Sequence, residues 1–153
     1  MKDPARAYRE SAVRGASPVG LIVILYEEVL RTLRKAQRAI QQKDIEGRTM
    51  ALSHVLDIVG HLQSTLDFER GGEVASNLSR FYNVVRAKIL EANIHSNIEI
   101  LELLSKEFSL FINTWQQVDS AVTRSAAQSS PNPPLAAASQ ATEVYQTSGA
   151  IDS

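Results

Sequence analysis

Between Leu101 and Val122 the apolar residues Leu101, Leu104, Phe108, Phe111, Trp115, Val118 and Val122 recur at spacings of 3, 4, 3, 4, 3 and 4. That rhythm puts all seven on one face of a helix with 3.6 residues per turn, and a strand with its period of two would scatter them over both faces. A helix with one apolar stripe needs other helices or a sheet to cover it. No segment of the chain alternates with period two, and no Asn-Gly or Asp-Gly hairpin signal occurs, so the cover has to be helical.

Three further helices can be read upstream. Ser17-Pro18 opens the first: the serine caps free N–H groups, and proline suits the first helical position, where its missing donor would be unpaired anyway. Its stripe is read as Leu21, Leu25, Val29, Leu33, Ala36 and Ile40, ending near Lys43. Asp44 caps the second helix, with Ile45, Leu52, Val55, Leu56, Val59, Leu62 and Leu66, and Gly71-Gly72 closes that connection. Glu73 begins the third, favourably placed at the positive end of its dipole, with Val74, Leu78, Phe81, Val85, Ile89 and Ala92 as its stripe. Ser96-Asn97-Ile98-Glu99 has the form of a capping box for the fourth. The first and third connections are short enough to force antiparallel neighbours. The predicted fold is all-α, an antiparallel up-down-up-down four-helix bundle over residues 17–124.

Composition sets the limits of that domain. From Ser125 to Ser153 the chain is mostly Ala, Ser, Pro, Gln and Thr, with Glu143 and Asp152 its only charges. Such a segment cannot bury enough apolar surface to offset about 1–2 kcal/mol per residue of lost backbone entropy, so 125–153 is read as a disordered tail. Residues 1–16 are read as an N-terminal cap segment. Their charged start leads into no apolar core of a secretory signal, and the longest apolar run, Val19 to Tyr26, is under half of the roughly 20 residues of a membrane span. A cytoplasmic protein is expected, with no membrane insertion.

Two helices carry more apolar surface than a bundle interior can take. Val19 to Tyr26 is apolar all the way round except at Gly20, and the fourth helix has a second row at Ile100, Leu103 and Leu110. Either residues 1–13, with Ala5, Tyr8 and Ala12 at helical spacing, fold back over this surface, or it forms a groove for a partner helix. Both readings stand together if the cap is displaceable.

Chemistry finds little purchase. The chain has 16 Lys+Arg against 17 Asp+Glu, a net charge of −1, which argues against coating nucleic acid or an anionic membrane. Zero cysteines exclude disulfides, thiolate metal sites and Cys nucleophiles. No Glu-x-x-His occurs for a bundle metal centre; His54, Asp57 and His61 share a side of the second helix at a spacing common by chance. A phosphoryl-carrying histidine wants a nearby cation, whereas Asp57 and Ser64 follow His54 and His61. Arg31, Arg34, Lys35 and Arg38 lack the interleaved aromatics of a nucleic-acid surface and read as a solvated face, open to an acidic protein partner. Trp115 falls on the core stripe. No enzyme, cofactor or metal site emerges.

Specific strings do carry a resemblance. Ala7-Tyr8 with Val13, Ala16-Ser17-Pro18, Leu21, Leu25-Tyr26, Leu66-Asp67-Phe68-Glu69, Gly71-Gly72-Glu73-Val74-Ala75, Asn77-Leu78, Phe81-Tyr82, Ala92-Asn93 and a late Trp115 stand in the order found in the flagellin export chaperones, the FliS family. The ordered set, over residues 5 to 120, resembles that family more specifically than any one string does. Glu27-Glu28 depart from the Asp-Gly common there, and Val84 stands where a second aromatic often follows Tyr82. The resemblance implies a non-enzymatic chaperone, monomer or weak homodimer when free. It would bind the disordered C-terminal segment of flagellin, block early polymerisation and deliver it to the flagellar export apparatus. Flagellin-contact candidates are Tyr8, Leu21, Ile24, Leu25, Tyr26, Asn77, Leu78, Phe81, Tyr82, Ile100, Leu103 and Leu110, with Ser17, Pro18, Gly71, Gly72 and Trp115 structural. A different class, a helical adaptor sequestering another regulator or secretion component, would use the same apolar rows.

Because the tail lies outside both the helical pattern and the resembling strings, a chain ending at Arg124 is expected to keep its far-UV helical signal per remaining residue and its partner affinity. Loss of either would show that the tail packs on the bundle or joins the site.

Overall fold

The computed structural model describes residues 17–127. Four helices run through them: α1 (Pro18–Gln41), α2 (Ile45–Ser64), α3 (Phe68–His95) and α4 (Ile98–Ala127). Each packs on its neighbours in a closed ring, α1 on α2, α2 on α3, α3 on α4 and α4 back on α1, and no diagonal pair comes into close backbone approach among the described residues. This is the up-down-up-down bundle. The cap segment with Tyr8 and the part of the tail from 128 to 153 lie outside the described residues, and α4 continues three residues beyond Arg124.

Local chemistry explains where the helices begin. Ser17 accepts from the Gly20 N–H at 3.0 Å and donates to Asp119 Oδ1 at 2.5 Å, so one hydroxyl both caps α1 and fastens it to the far end of α4. Asp44 caps α2 by accepting from the Gly47 N–H at 2.9 Å. Asn97, not Ser96, caps α4, accepting from Glu99 at 3.0 Å. Ser96 is the left-handed residue that ends α3 (φ 51°, ψ 40°), which corrects the capping-box reading. A serine so placed satisfies the end of the outgoing helix, and the next residue has the side chain free to start the incoming one.

The α2–α3 connection also differs from expectation. The turn falls at residues 65–67, Asp67 caps a short first turn from Phe68, and Gly72 then breaks the helix (φ 51°, ψ −123°) before it resumes along the stripe that includes Ala75 and Leu78. Gly71-Gly72 therefore shape a kink inside α3. Two stripe assignments shift as well. The buried row of α1 runs Val19, Val23, Tyr26, Val29, Leu33 and Ala36, leaving Leu21 and Leu25 half-buried, and Ile45 is exposed at the start of α2. With Val19–Tyr26 apolar on every side, periodicity could not choose the phase.

The core is one cluster through all four helices. Small Ala36, Ala39 and Ala51 lie buried on α1 and α2, whereas Phe81, Phe108 and Phe111 fill the space between α3 and α4, with the Phe81 and Phe111 centroids 4.9 Å apart. Of the four neighbouring pairs, α3 and α4 make the least close backbone approach. No helix among the described residues is long and apolar enough to cross a membrane.

At Gly72 a Cβ would meet nothing within 4 Å, so any cost of adding one comes from the backbone alone. Its angles mirror the extended region and are open essentially to glycine. Gly72→Ala is expected to lose about 1–3 kcal/mol of stability, read as a lower Tm by circular dichroism. An unchanged Tm would mean that the kink relaxes without penalty.

Candidate partner-binding site

Tyr26 of α1 is the centre of the aromatic core. It is 0% exposed and meets Phe108 edge-on at 5.1 Å, with Tyr82 at 6.4 Å and Trp115 at 6.5 Å. Edge-to-face contact is the favourable arrangement for ring quadrupoles. The Tyr26 and Tyr82 hydroxyls share a hydrogen bond of 2.8 Å, each satisfying a polar group that neither could bury alone. Burial pushes Tyr26 up to about 12, against a smaller opposing pull from the Tyr82 hydroxyl and the Trp115 N–H. Burial likewise holds Tyr82 well above the ordinary tyrosine value, with the Tyr26 charge adding to the shift. Trp115 Nε1 makes no aligned hydrogen bond within the described chain, so its influence on Tyr26 is that of a neighbouring dipole rather than a donor.

Several residues expected to touch a partner are thus interior. Tyr26, Leu78, Phe81 and Tyr82 are buried, as is Trp115, and what the first four offer a partner is the shape of the surface above them. Asn77 is half-buried beside Arg80, which donates to its amide oxygen. Leu25 and Ile100 are half-buried against the core, and Leu21 and Ile24 are half-buried on α1. Leu103 and Leu110 are open, 42% and 45% exposed.

Spacing then locates the open rows. On α4, Ser105 bonds Gln37 of α1 and Asp119 bonds Ser17, so positions 105, 112 and 119 face α1. Leu103 and Leu110 precede Ser105 and Ile112 by two residues, about 200° round the helix, on the side toward α3. In this antiparallel pair the contacts of Phe81 with Phe108 and Phe111 bring Val84, one turn past Phe81, opposite the stretch of α4 between Leu103 and Leu110, and Val84 is 38% exposed. Val84, Leu103 and Leu110 therefore rim the α3–α4 seam, whose floor is Phe81 and Phe111.

Leu21 and Ile24 lie elsewhere. Glu28, seven and four residues on, faces His54 of α2 at 3.4 Å, so this row borders the α1–α2 seam. In a ring of four helices the two seams are opposite edges. The apolar excess that looked like one surface in sequence is two. Sequence reasoning missed Val84 as a seam residue, and it missed exposed Met50, Leu90 and Ile94. Only the register of α3 against α4 reveals the first.

The family model described as "Flagellar protein FliS" matches residues 1–122. The chain belongs to the FliS family. Flagellar secretion chaperone FliS of Salmonella typhimurium is 33% identical over 119 residues, 77% of this chain and 88% of that protein. FliSB of Pseudomonas aeruginosa is 33% identical over 105 residues, 69% and 83% of the two chains. FliS of Campylobacter jejuni is 33% identical over 112 residues, 73% and 88%. A flagellar secretion chaperone is thereby the general role of this FliS-family chain.

The buried tyrosine pair gives a titration test. Folded pKa values raised above the unfolded value of about 10 mean that the unfolded chain loses these protons first. Stability from the neutral pair is complete below about pH 10 and falls as pH climbs toward about 12. Tyrosinate absorbance is expected to show Tyr26 and Tyr82 ionising only together with the loss of helical signal. Ionisation of all four tyrosines of the chain near pH 10, with the fold intact, would contradict the buried pair.

Proposed function

We propose that this FliS-family chaperone holds the C-terminal segment of flagellin on the α3–α4 seam and, further round the bundle, on the Leu21–Ile24–Leu25 row of α1. The observation that supports this most is the apolar rim of Val84, Leu103 and Leu110 over an aromatic floor on a surface otherwise interrupted by charge. A polymerisation helix is apolar along one face and self-associates when left free. A seam lined in this way covers that face until export. Because the two apolar rows lie on opposite edges, the client wraps the bundle rather than filling one pocket.

Affinity in such a complex is the surplus of contact over ordering. Folding a disordered segment on binding costs about 2–5 kcal/mol of the gross interaction energy. Release at the export apparatus then needs no nucleotide hydrolysis, in keeping with a chain that contains no Gly-rich phosphate loop. The setting for this role is the cytoplasm, before export.

The test is a pull-down and titration against flagellin with and without its C-terminal segment. Binding is expected only with that segment. Leu103→Asn with Leu110→Asn is expected to weaken it about tenfold or more, from the loss of roughly 1 kcal/mol or more of apolar burial at each site, with little change in Tm because both side chains are already open. Capture of truncated flagellin, or full affinity in the double variant, would move the site away from the seam; no binding to flagellin at all would favour an adaptor for another partner.

A further inference from the structure

The edge opposite the α3–α4 seam contains a cleft of about 620 Å³ between the last turns of α1 and the first turns of α2. Along its α1 wall stand Arg31, Lys35 and Arg38 at i, i+4 and i+7, a straight row about 10 Å long at 1.5 Å per residue. Two acidic groups also line it, and both are engaged: Glu28 pairs with Arg31 and His54, and Asp44 caps α2. The side chains of Lys35 and Arg38 make no ion pair with another side chain among the described residues. The small side chains Ala39 and Ala51 keep the floor low, which leaves room for a second chain, and Met50 stands beside them, 66% exposed.

We infer that this cleft docks an acidic helical segment of a protein partner, with carboxylates at i, i+4 and i+7 against Arg31, Lys35 and Arg38 and an aliphatic residue on Met50. Two forked guanidinium groups in the row suit carboxylates in particular. Nucleic acid is the poorer match: the cleft has no Phe, Tyr or Trp for a base to stack on, its one ring being the His54 imidazole already turned to Glu28, and the chain as a whole carries a net charge of −1. Methionine beside the cations also favours a peptide with an apolar side over a bare phosphate backbone, because a thioether adapts to varied aliphatic partners. From the basic row the same α1 face leads on toward Ile24 and Leu21, so a longer segment would pass from acidic to apolar. The basic cleft is separate from the α3–α4 seam and adjoins the Leu21–Ile24–Leu25 row that the proposed function also gives to flagellin.

The experiment uses the full chain and a labelled helical peptide with Glu at i, i+4 and i+7 and Leu at the adjoining positions, followed by fluorescence anisotropy. Its controls are the same peptide with Lys for Glu and a single-stranded oligothymidine. The acidic peptide is expected to bind, to weaken as salt is raised, and to lose about tenfold or more in affinity to Lys35→Glu with Arg38→Glu. Lys35→Gln with Arg38→Gln is expected to lose less, and Leu103→Asn with Leu110→Asn to bind the peptide as well as the unaltered chain. Both cations are exposed, so an unchanged Tm verifies that the charge variants stay folded. Equal binding of the Lys peptide, tighter binding of oligothymidine, or full affinity in the charge-reversed chain would overturn the proposal. Loss of peptide binding in the Leu103/Leu110 variant would relocate the acidic segment to the flagellin seam.

Discussion

The hydroxyl pair of Tyr26 and Tyr82 is the constraint on which the rest of this bundle turns. A phenol can be buried at little cost only if its O–H finds a partner, and here each hydroxyl serves the other at 2.8 Å. The pair joins α1 to α3, which do not touch through their backbones, and so spans the middle of the bundle. Three of the four other core rings lie against it, Phe108 and Trp115 on Tyr26 and Phe81 on Tyr82, and Phe111 packs in turn on Phe81. The Ser17–Asp119 bond then fixes the open end of α1 on α4, so rotation of α1 about its axis is blocked at two levels.

That rotation decides what the surface looks like. Val19 to Tyr26 would bury equally well in more than one phase if apolarity were the only criterion. With Tyr26 committed inward, Val19, Val23 and Val29 follow it, and Leu21 and Ile24 are left on the side of α2. On the other edge, Phe81, Phe108 and Phe111 fill the space between α3 and α4, and Val84, Leu103 and Leu110 stay open at its rim. A large aromatic core and an open apolar groove are two results of the same packing.

The helices were legible in sequence because three of the four stripes keep a clear phase and because Ser17, Pro18 and Asp44 carry unambiguous cap chemistry. The uninterrupted 3-4 rhythm of α4 was read correctly in its entirety from Leu101 to Val118. What failed was local. Ser96 and Asn97 are both competent caps, and only the left-handed turn assigns one to each helix. Gly71-Gly72 reads as a chain reversal, yet Asp67 caps an earlier start and the glycine becomes a kink. The site was less legible than the fold. Tyr26, Phe81 and Tyr82 stand in the resembling strings beside residues that do face outward, and a motif by itself carries no sign of inward or outward. Exposure at Val84 depends on the register of α3 against α4, a contact between residues far apart in the chain.

Leaving apolar side chains open is hazardous for a chain with a net charge of −1, since long-range repulsion does little to keep its copies apart. The seam meets this by interruption. Leu103 and Leu110 are seven residues apart on α4, and exposed Glu102, Lys106 and Ser109 stand among them. Each leucine is little more than two-fifths exposed, so the contiguous apolar area offered to a flat surface, such as another copy of the bundle, stays small. A helix is a different visitor, because its apolar residues at i and i+7 reach Leu103 and Leu110 together while the intervening charges pass to either side. On the binding proposed above, discrimination between client and self would follow from shape: the seam would reward a narrow amphipathic segment and give a second bundle little to hold.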